Sequence, residues 1–289
     1  MTSEEYKCRI DSALEECFLG ATGMPLEGLA DAMRYSLLAG GKRIRPMLVL
    51  EFSRICGGDV EAAMPVACAI EMLHTYSLIH DDLPCMDNDL LRRGRPTNHV
   101  VYGEWAATLA GDTLQAEAFG SILRSSLSSE RRALCAEYLA DGAGLDGMCG
   151  GQYLDMLGED KILTEAELNE INSRKTGALL TAACRMGVAA GGGSEEQLEA
   201  ATQYGAAIGT AFQLRDDMLD VLGNEQMLGK SVGSDAKDRK NTYMALYGAE
   251  QCSRMIDKLT LRAKDVLRAA FSDTEFLCDL ADSLAVRMN

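Results

Sequence analysis

Ala67-Cys-Ala-Ile-Glu-Met-Leu-His-Thr-Tyr-Ser-Leu-Ile-His-Asp81-Asp82 decides how the rest of the chain is read. Ile70, Leu73 and Ile79 recur at helical spacing, and the segment is apolar almost all round. That pattern predicts a buried helix, not a surface one. It then runs into Leu-Pro84-Cys-Met-Asp87-Asn-Asp89, so four carboxylates fall at the end of a buried element. Buried carboxylates without a cationic partner are unfavourable, and the negative end of the helix dipole adds to the penalty. Pro84 stops the helix and lets Asp87 fold back toward Asp81. A solvated acidic turn is the alternative reading of this motif taken alone.

A second segment weakens that alternative. Between Gly205 and Leu222, residues Gln213, Asp216, Asp217 and Asp220 form one polar stripe at about 100° per residue. Ile208, Phe212, Leu219 and Leu222 occupy the other faces. Asp216 and Asp220 repel at i,i+4 spacing unless something cationic lies between them. All-oxygen ligands of this kind suit Mg2+. No EF-hand spacing points to calcium.

Helix formers dominate elsewhere. All five prolines, from Pro25 to Pro96, lie in the first third of the chain. Strictly alternating β-branched runs are missing, and no apolar run approaches the length of a membrane span. Breaks are expected at Gly57-Gly58, Gly142 to Gly151, Gly191 to Gly193 and Leu228 to Gly233. Thr164 with Glu167, and Ser194 with Gln197, read as capping boxes. One all-α domain over residues 1–289 is the expectation.

Bulk properties exclude several function classes. The 289 residues carry 44 acids against 28 Lys and Arg, a net charge of −16. This argues against nucleic-acid binding and against docking on anionic lipid. The ten cysteines include no C-x-x-C pair, and Met1-Thr-Ser-Glu-Glu-Tyr does not read as a signal peptide. A cytoplasmic protein with reduced thiols and no membrane insertion is expected.

An acidic protein that collects divalent metal needs an anionic substrate, and basic residues mark where it would bind. Gly40-Gly41-Lys42-Arg43-Ile-Arg45 offers three cations, and Arg92-Arg93-Gly94-Arg95 follows the first acidic motif. Lys175-Thr176 and Gly229-Lys230 add two more. Arginine forks fit phosphate oxygens, and lysine supplies point charge. Neither Gly-Lys pair has Walker A spacing.

Together these motifs resemble the short-chain trans-polyprenyl diphosphate synthases. The matching stretches are Gly40-Gly-Lys-Arg-Ile-Arg-Pro46, His74 to Asp87, Leu91 to Thr97, Ala110-Gly-Asp112, Gly151-Gln152-x-x-Asp155, Lys175-Thr176 and Phe212 to Asp220. The resemblance implies an isoprenoid-synthase helical bundle around a central cavity. It also implies a transferase that condenses isopentenyl diphosphate head-to-tail with an allylic diphosphate, dimethylallyl or geranyl. About three Mg2+ ions are implied, held by Asp81, Asp87 and Asp216 with Asp82, Asp217 and Asp220 in support. Arg92, Lys175 and Lys230 would complete the allylic diphosphate site. Gly41, Lys42, Arg45, His74 and Arg93 would hold isopentenyl diphosphate. Thr176 and Gln213 would face the developing cation. The departing diphosphate is the expected proton acceptor, with His74 as the alternative base.

Tyr76 precedes Asp81 by five residues, roughly 7 Å along a helix, and Ser77 follows it. A ring there forms a floor that stops chain growth, as in the bacterial farnesyl diphosphate synthases that this segment resembles. A C15 product is therefore expected, with the geranylgeranyl type second. A non-catalytic subunit and a terpene cyclase are the remaining alternatives. The resemblance further implies a homodimer, with the Glu104 to Leu127 helix at its interface.

Overall fold

The computed structural model describes residues 1–159, 161–222 and 241–286. Lys230 and the expected break at Leu228 to Gly233 lie outside the described residues. The architecture is all-α. The helices are α1 (Ser3–Glu15), α2 (Glu27–Leu37), α3 (Ile44–Ile55), α4 (Val60–Asp81), α5 (Asn98–Tyr102), α6 (Glu104–Arg124) and α7 (Ser129–Ala143), followed by α8 (Met148–Gly158), α9 (Glu165–Asn172), α10 (Ala178–Gly191), α11 (Glu195–Leu222), α12 (Tyr243–Ala270) and α13 (Glu275–Val286).

At the centre stands α4. Asp59 caps it by accepting from the Glu61 amide at 3.0 Å, which satisfies one of the free donors of the first turn. It packs against α3, α6 and α10. The expectation that no apolar run nears membrane-span length is corrected by α4. Its 22 residues are long and apolar enough to cross a bilayer by length and composition, yet 78% of that stretch is buried within the protein. Isolated polar residues such as Glu71 and His74 break the run in the linear sequence, and the helix still buries almost every face. One of those polar groups is tied into the core. Glu71 accepts from the buried Arg43 guanidinium at 2.6 Å, and Arg43 also reaches Asp11 at 2.8 Å. Arg43 is thus a structural cation.

Both expected capping boxes form. Thr164 and Glu167 bond reciprocally at the start of α9, as do Ser194 and Gln197 before α11. The expected break from Gly142 to Gly151 is narrower: α7 continues to Ala143 and α8 starts at Met148. Gly151 is glycine for a packing reason. A Cβ there would lie 2.2 Å from the Lys175 amide nitrogen. Between α9 and α10 the chain adopts a π-turn over Ser173–Gly177. Gly209 of α11 meets the same turn, since its Cβ would lie 2.9 Å from Gly177 Cα.

Among the described residues one strand pair departs from the all-helical expectation. Leu91–Arg92 (β1) pairs antiparallel with Arg95–Pro96 (β2). Arg93 and Gly94 close the hairpin with φ of 54° and 73°. Two positive φ values are what a tight two-residue hairpin requires, and Gly94 supplies the second without strain.

Candidate active site

Two cavities meet where α3, α4 and α11 converge. The larger, about 620 Å3, is lined by Asp81, Gln152, Lys175 and Thr176 together with Tyr76, Met86, Met148, Met156 and Phe212. The smaller, about 400 Å3, is lined by Gly41, Lys42, Arg45, His74 and Arg93, among others. Arg45, His74 and Phe212 border both. The structure therefore brings five sequence-predicted residues into one basic recess. It sets that recess beside a mainly apolar chamber containing Asp81, Lys175 and Thr176.

In the basic recess, Gly41 has φ of 137°, and a Cβ there would lie 2.9 Å from the Arg93 guanidinium. Only glycine lets that backbone pass beneath the side chain. Arg93 is anchored by donating to the Gly40 carbonyl. Burial pulls Arg45 down to about 10, and its Nε has no hydrogen-bond partner. Burial, reinforced by Arg45 and Arg93, holds His74 well below the usual histidine range. His74 is therefore neutral here, and the carboxylate that lines the recess, Glu71, is already paired with Arg43.

At the C-terminal end of α4, the Asp87 amide donates to the Asp81 carbonyl at 2.9 Å. The motif does fold back across Pro84. Burial pushes Asp81 up to about 6, with Asp87 and Asp82 adding to the rise against the pull of Lys175 and Arg92. Asp82 differs from both. It is 3% exposed, and Arg92 Nε donates to its two oxygens at 2.8 and 3.0 Å. Burial lowers Arg92, but Asp82 more than offsets this and holds it above its usual value.

Along α11 the four polar residues divide by partner. Thr176 donates to Gln213 Oε1 at 2.9 Å, and Gln213 donates to Asp217 at 2.9 Å. The other Asp217 oxygen accepts from the Tyr243 amide at 2.7 Å. Asp217 thus ties α11 to the first turn of α12. Asp220 is 4% exposed, and neither of its oxygens has a hydrogen-bond partner. Leaving a carboxylate buried and unpaired is strongly unfavourable, so this position fits a cation. Among the described residues no three His, Cys, Asp or Glu side chains form a closed ligand set.

Lys175 and Thr176 sit on the π-turn, a distortion common at functional sites. Lys175 reaches Asp155 at 2.6 Å. Tyr76 is 6% exposed, and Ser77 lines the same chamber. Several residues escaped sequence reasoning. Phe212 reads as a core residue by periodicity but borders both cavities. Cys149 lies beside Tyr76 with no motif to mark it. Gln152 had a signal in its Gly-Gln-x-x-Asp setting, and both of its amide atoms are buried without partners.

Residues 27–273 match the family described as polyprenyl synthetase. The chain belongs to that family. As a polyprenyl synthetase it is a prenyltransferase of isoprenoid biosynthesis with the all-α isoprenoid-synthase fold. It is 47% identical over 270 residues to a farnesyl diphosphate synthase of Geobacillus stearothermophilus, covering 91% of this chain and 90% of the relative. It is 44% identical over 262 residues to a geranylgeranyl diphosphate synthase of Cyanophora paradoxa, covering 90% and 87%. The crystal structure of a geranyltransferase from Legionella pneumophila superposes with a TM-score of 0.88 at 35% identity, covering 99% of this chain and 96% of the other.

Proposed function

We propose that this polyprenyl synthetase condenses isopentenyl diphosphate with dimethylallyl and then geranyl diphosphate, and that its main product is the C15 farnesyl diphosphate. The observation that carries the reading is the pair of adjoining cavities. One is basic, and the other is apolar with acid at one end of α4 and a tyrosine ring further down. Similarity to the Geobacillus enzyme supports C15. Similarity to the Cyanophora enzyme keeps C20 as the second reading.

Isopentenyl diphosphate binds in the basic recess, on Lys42, Arg45, Arg93 and neutral His74, over the Gly41 backbone. The allylic diphosphate lies on Lys175 and Arg92, with Lys230 as a further cation in the sequence-based assignment. Asp82 aims Arg92 through its bidentate contact. Asp81, Asp87, Asp216 and Asp220 would hold Mg2+, which would supply Lewis-acid charge to the departing diphosphate. Thr176 and Gln213 present oxygens to the allylic carbon as its C–O bond breaks. The apolar wall formed by Met86, Met148, Met156 and Phe212 excludes water from the cation. The isopentenyl double bond then attacks, and a proton leaves to the released diphosphate. His74 is a poor base in this setting because burial and the surrounding arginines oppose its protonation.

A homodimer fits the exposed face of α6. Trp105, Leu109 and Leu123 are 74%, 46% and 54% exposed, and at about 100° per residue they share one face. Size-exclusion chromatography with light scattering tests this. Trp105→Glu shifts the protein toward monomer, and an unchanged dimer removes α6 from the interface. We also read the chain as one domain, because the larger of two buried clusters among the described residues takes in residues from Tyr6 to Leu284. Ten free thiols fit a cytoplasmic location.

The deciding assay supplies isopentenyl and dimethylallyl diphosphates with Mg2+ and chromatographs the dephosphorylated products. C15 alcohol is expected. Absence of any condensation product overturns the proposal, and a hydrocarbon formed from one prenyl diphosphate alone replaces it with a cyclase.

A further inference from the structure

We propose that Cys149 is a second specificity-determining residue, which latches the Tyr76 ring from α8 so that product length is set by a contact between two helices. The proposal rests on the reading of Tyr76 as the floor of the larger cavity. Tyr76 Oη and Cys149 Sγ are 3.0 Å apart, and both residues line that cavity. A buried tyrosine hydroxyl needs a hydrogen-bond partner, and Cys149 provides one. On its other side the ring meets His80 edge-to-face, with centroids 5.5 Å apart and planes at 86°. His80 is itself fixed. Its Nε2 lies 3.0 Å from the Thr108 carbonyl and in space left by Gly111, whose Cβ would be 2.2 Å away. The ring therefore has a wall on one face and a single polar anchor at its tip.

The anchor is well placed because α8 is seated on the reacting part of the site. Gly151 presses against the backbone of Lys175, and Asp155 holds the Lys175 ammonium. Cys149 lies two residues before Gly151 on the same helix. The floor is thereby referenced to the turn that carries Lys175 and Thr176, and the distance between them is a property of the assembly. Releasing the hydroxyl lets the tyrosine leave its rotamer, and the floor then yields to a longer chain.

The test uses the purified enzyme with Mg2+, isopentenyl diphosphate and geranyl diphosphate, and reads the C20:C15 product ratio. Tyr76→Ala removes the floor, and the ratio rises most. Tyr76→Phe keeps the ring but deletes the anchor, and Cys149→Ala deletes the partner. Each raises the ratio about fivefold, the population shift expected from one net hydrogen bond of about 1 kcal/mol. Cys149→Ser retains a partner and the parent ratio. The double variant Tyr76→Phe with Cys149→Ala gives the same ratio as either single one, because both remove the same contact. Multiplying effects in the double variant mean that Cys149 acts only by volume and overturn the latch. Unchanged ratios in both single variants, with Tyr76→Ala still effective, also overturn the latch but leave the floor standing. An unchanged ratio in Tyr76→Ala overturns both.

Discussion

The two acidic segments look alike in sequence, and the fold treats them differently. The first lies where α4 ends and Pro84 turns the chain, and its carboxylates face cations from elsewhere: Arg92 on Asp82, and Lys175 near Asp81. The second lies inside the continuous helix α11. There Asp217 bonds to the start of α12, while Asp220, about one turn on, has no partner. Acid at a helix end can be rearranged by a loop. Acid along a helix is fixed by the helix, so each position acquires its own task.

Substitutions can break or sharpen that contrast. Asp81→Ala has the largest expected effect, a loss of turnover on the order of 10³-fold. Circular dichroism would keep its helical signal, and surviving activity would remove Asp81 from the metal set. Asp217→Ala follows, as a stability variant. It loses charge-assisted bonds to Tyr243 and Gln213, with a destabilisation of about 2–3 kcal/mol in urea unfolding. A full-stability Asp217→Ala would erase the distinction between Asp217 and Asp220.

Next in size is a pH effect confined to the first region, because α4 also carries His74. Burial and Arg45 hold its folded pKa below the usual 6.5. The unfolded chain therefore takes up a proton that the folded one refuses. Stability from this group is complete above about 6.5 and falls as the pH drops below it, by at most about 1.4 kcal/mol per unit. His74→Gln should flatten that part of the stability profile, and an unchanged slope assigns it to other groups. Smallest is Asp220→Asn, which relieves an unpaired buried charge. It should raise metal-free stability by about 1 kcal/mol and abolish the extra stabilisation given by Mg2+. A lower melting temperature without metal would show that Asp220 has a structural partner.

Much of this was legible in the sequence because periodicity is a local property. The buried character of α4, its acidic end and the stripe from Gln213 to Asp220 all follow from residue spacing. The set of residues that meet in the basic recess follows instead from the resemblance to the polyprenyl diphosphate synthases, and spacing alone does not give it. What spacing leaves out is the identity of the partner across the gap. Lys42, Arg43 and Arg45 are equivalent as letters. Only the packing of α1 and α4 shows that Arg43 serves Asp11 and Glu71. Phe212 falls on an apolar face, and nothing local indicates that the face borders a cavity. The π-turn at Lys175 depends on close approach by Gly151 and Gly209, each remote in the chain. Cys149 gains its role only from the tyrosine opposite it.

The membrane-like length of α4 has a consequence during synthesis. Its last residue is Asp81, whereas α10, one of the helices that cover it, begins at Ala178. At about 5–20 residues per second, a ribosome needs roughly 5–20 s to make the intervening chain. Until its partners arrive, the nascent protein displays a segment that translocation machinery and chaperones are built to bind. Prompt arrival of α6, which packs along α4 and is encoded soon after it, shortens this exposure.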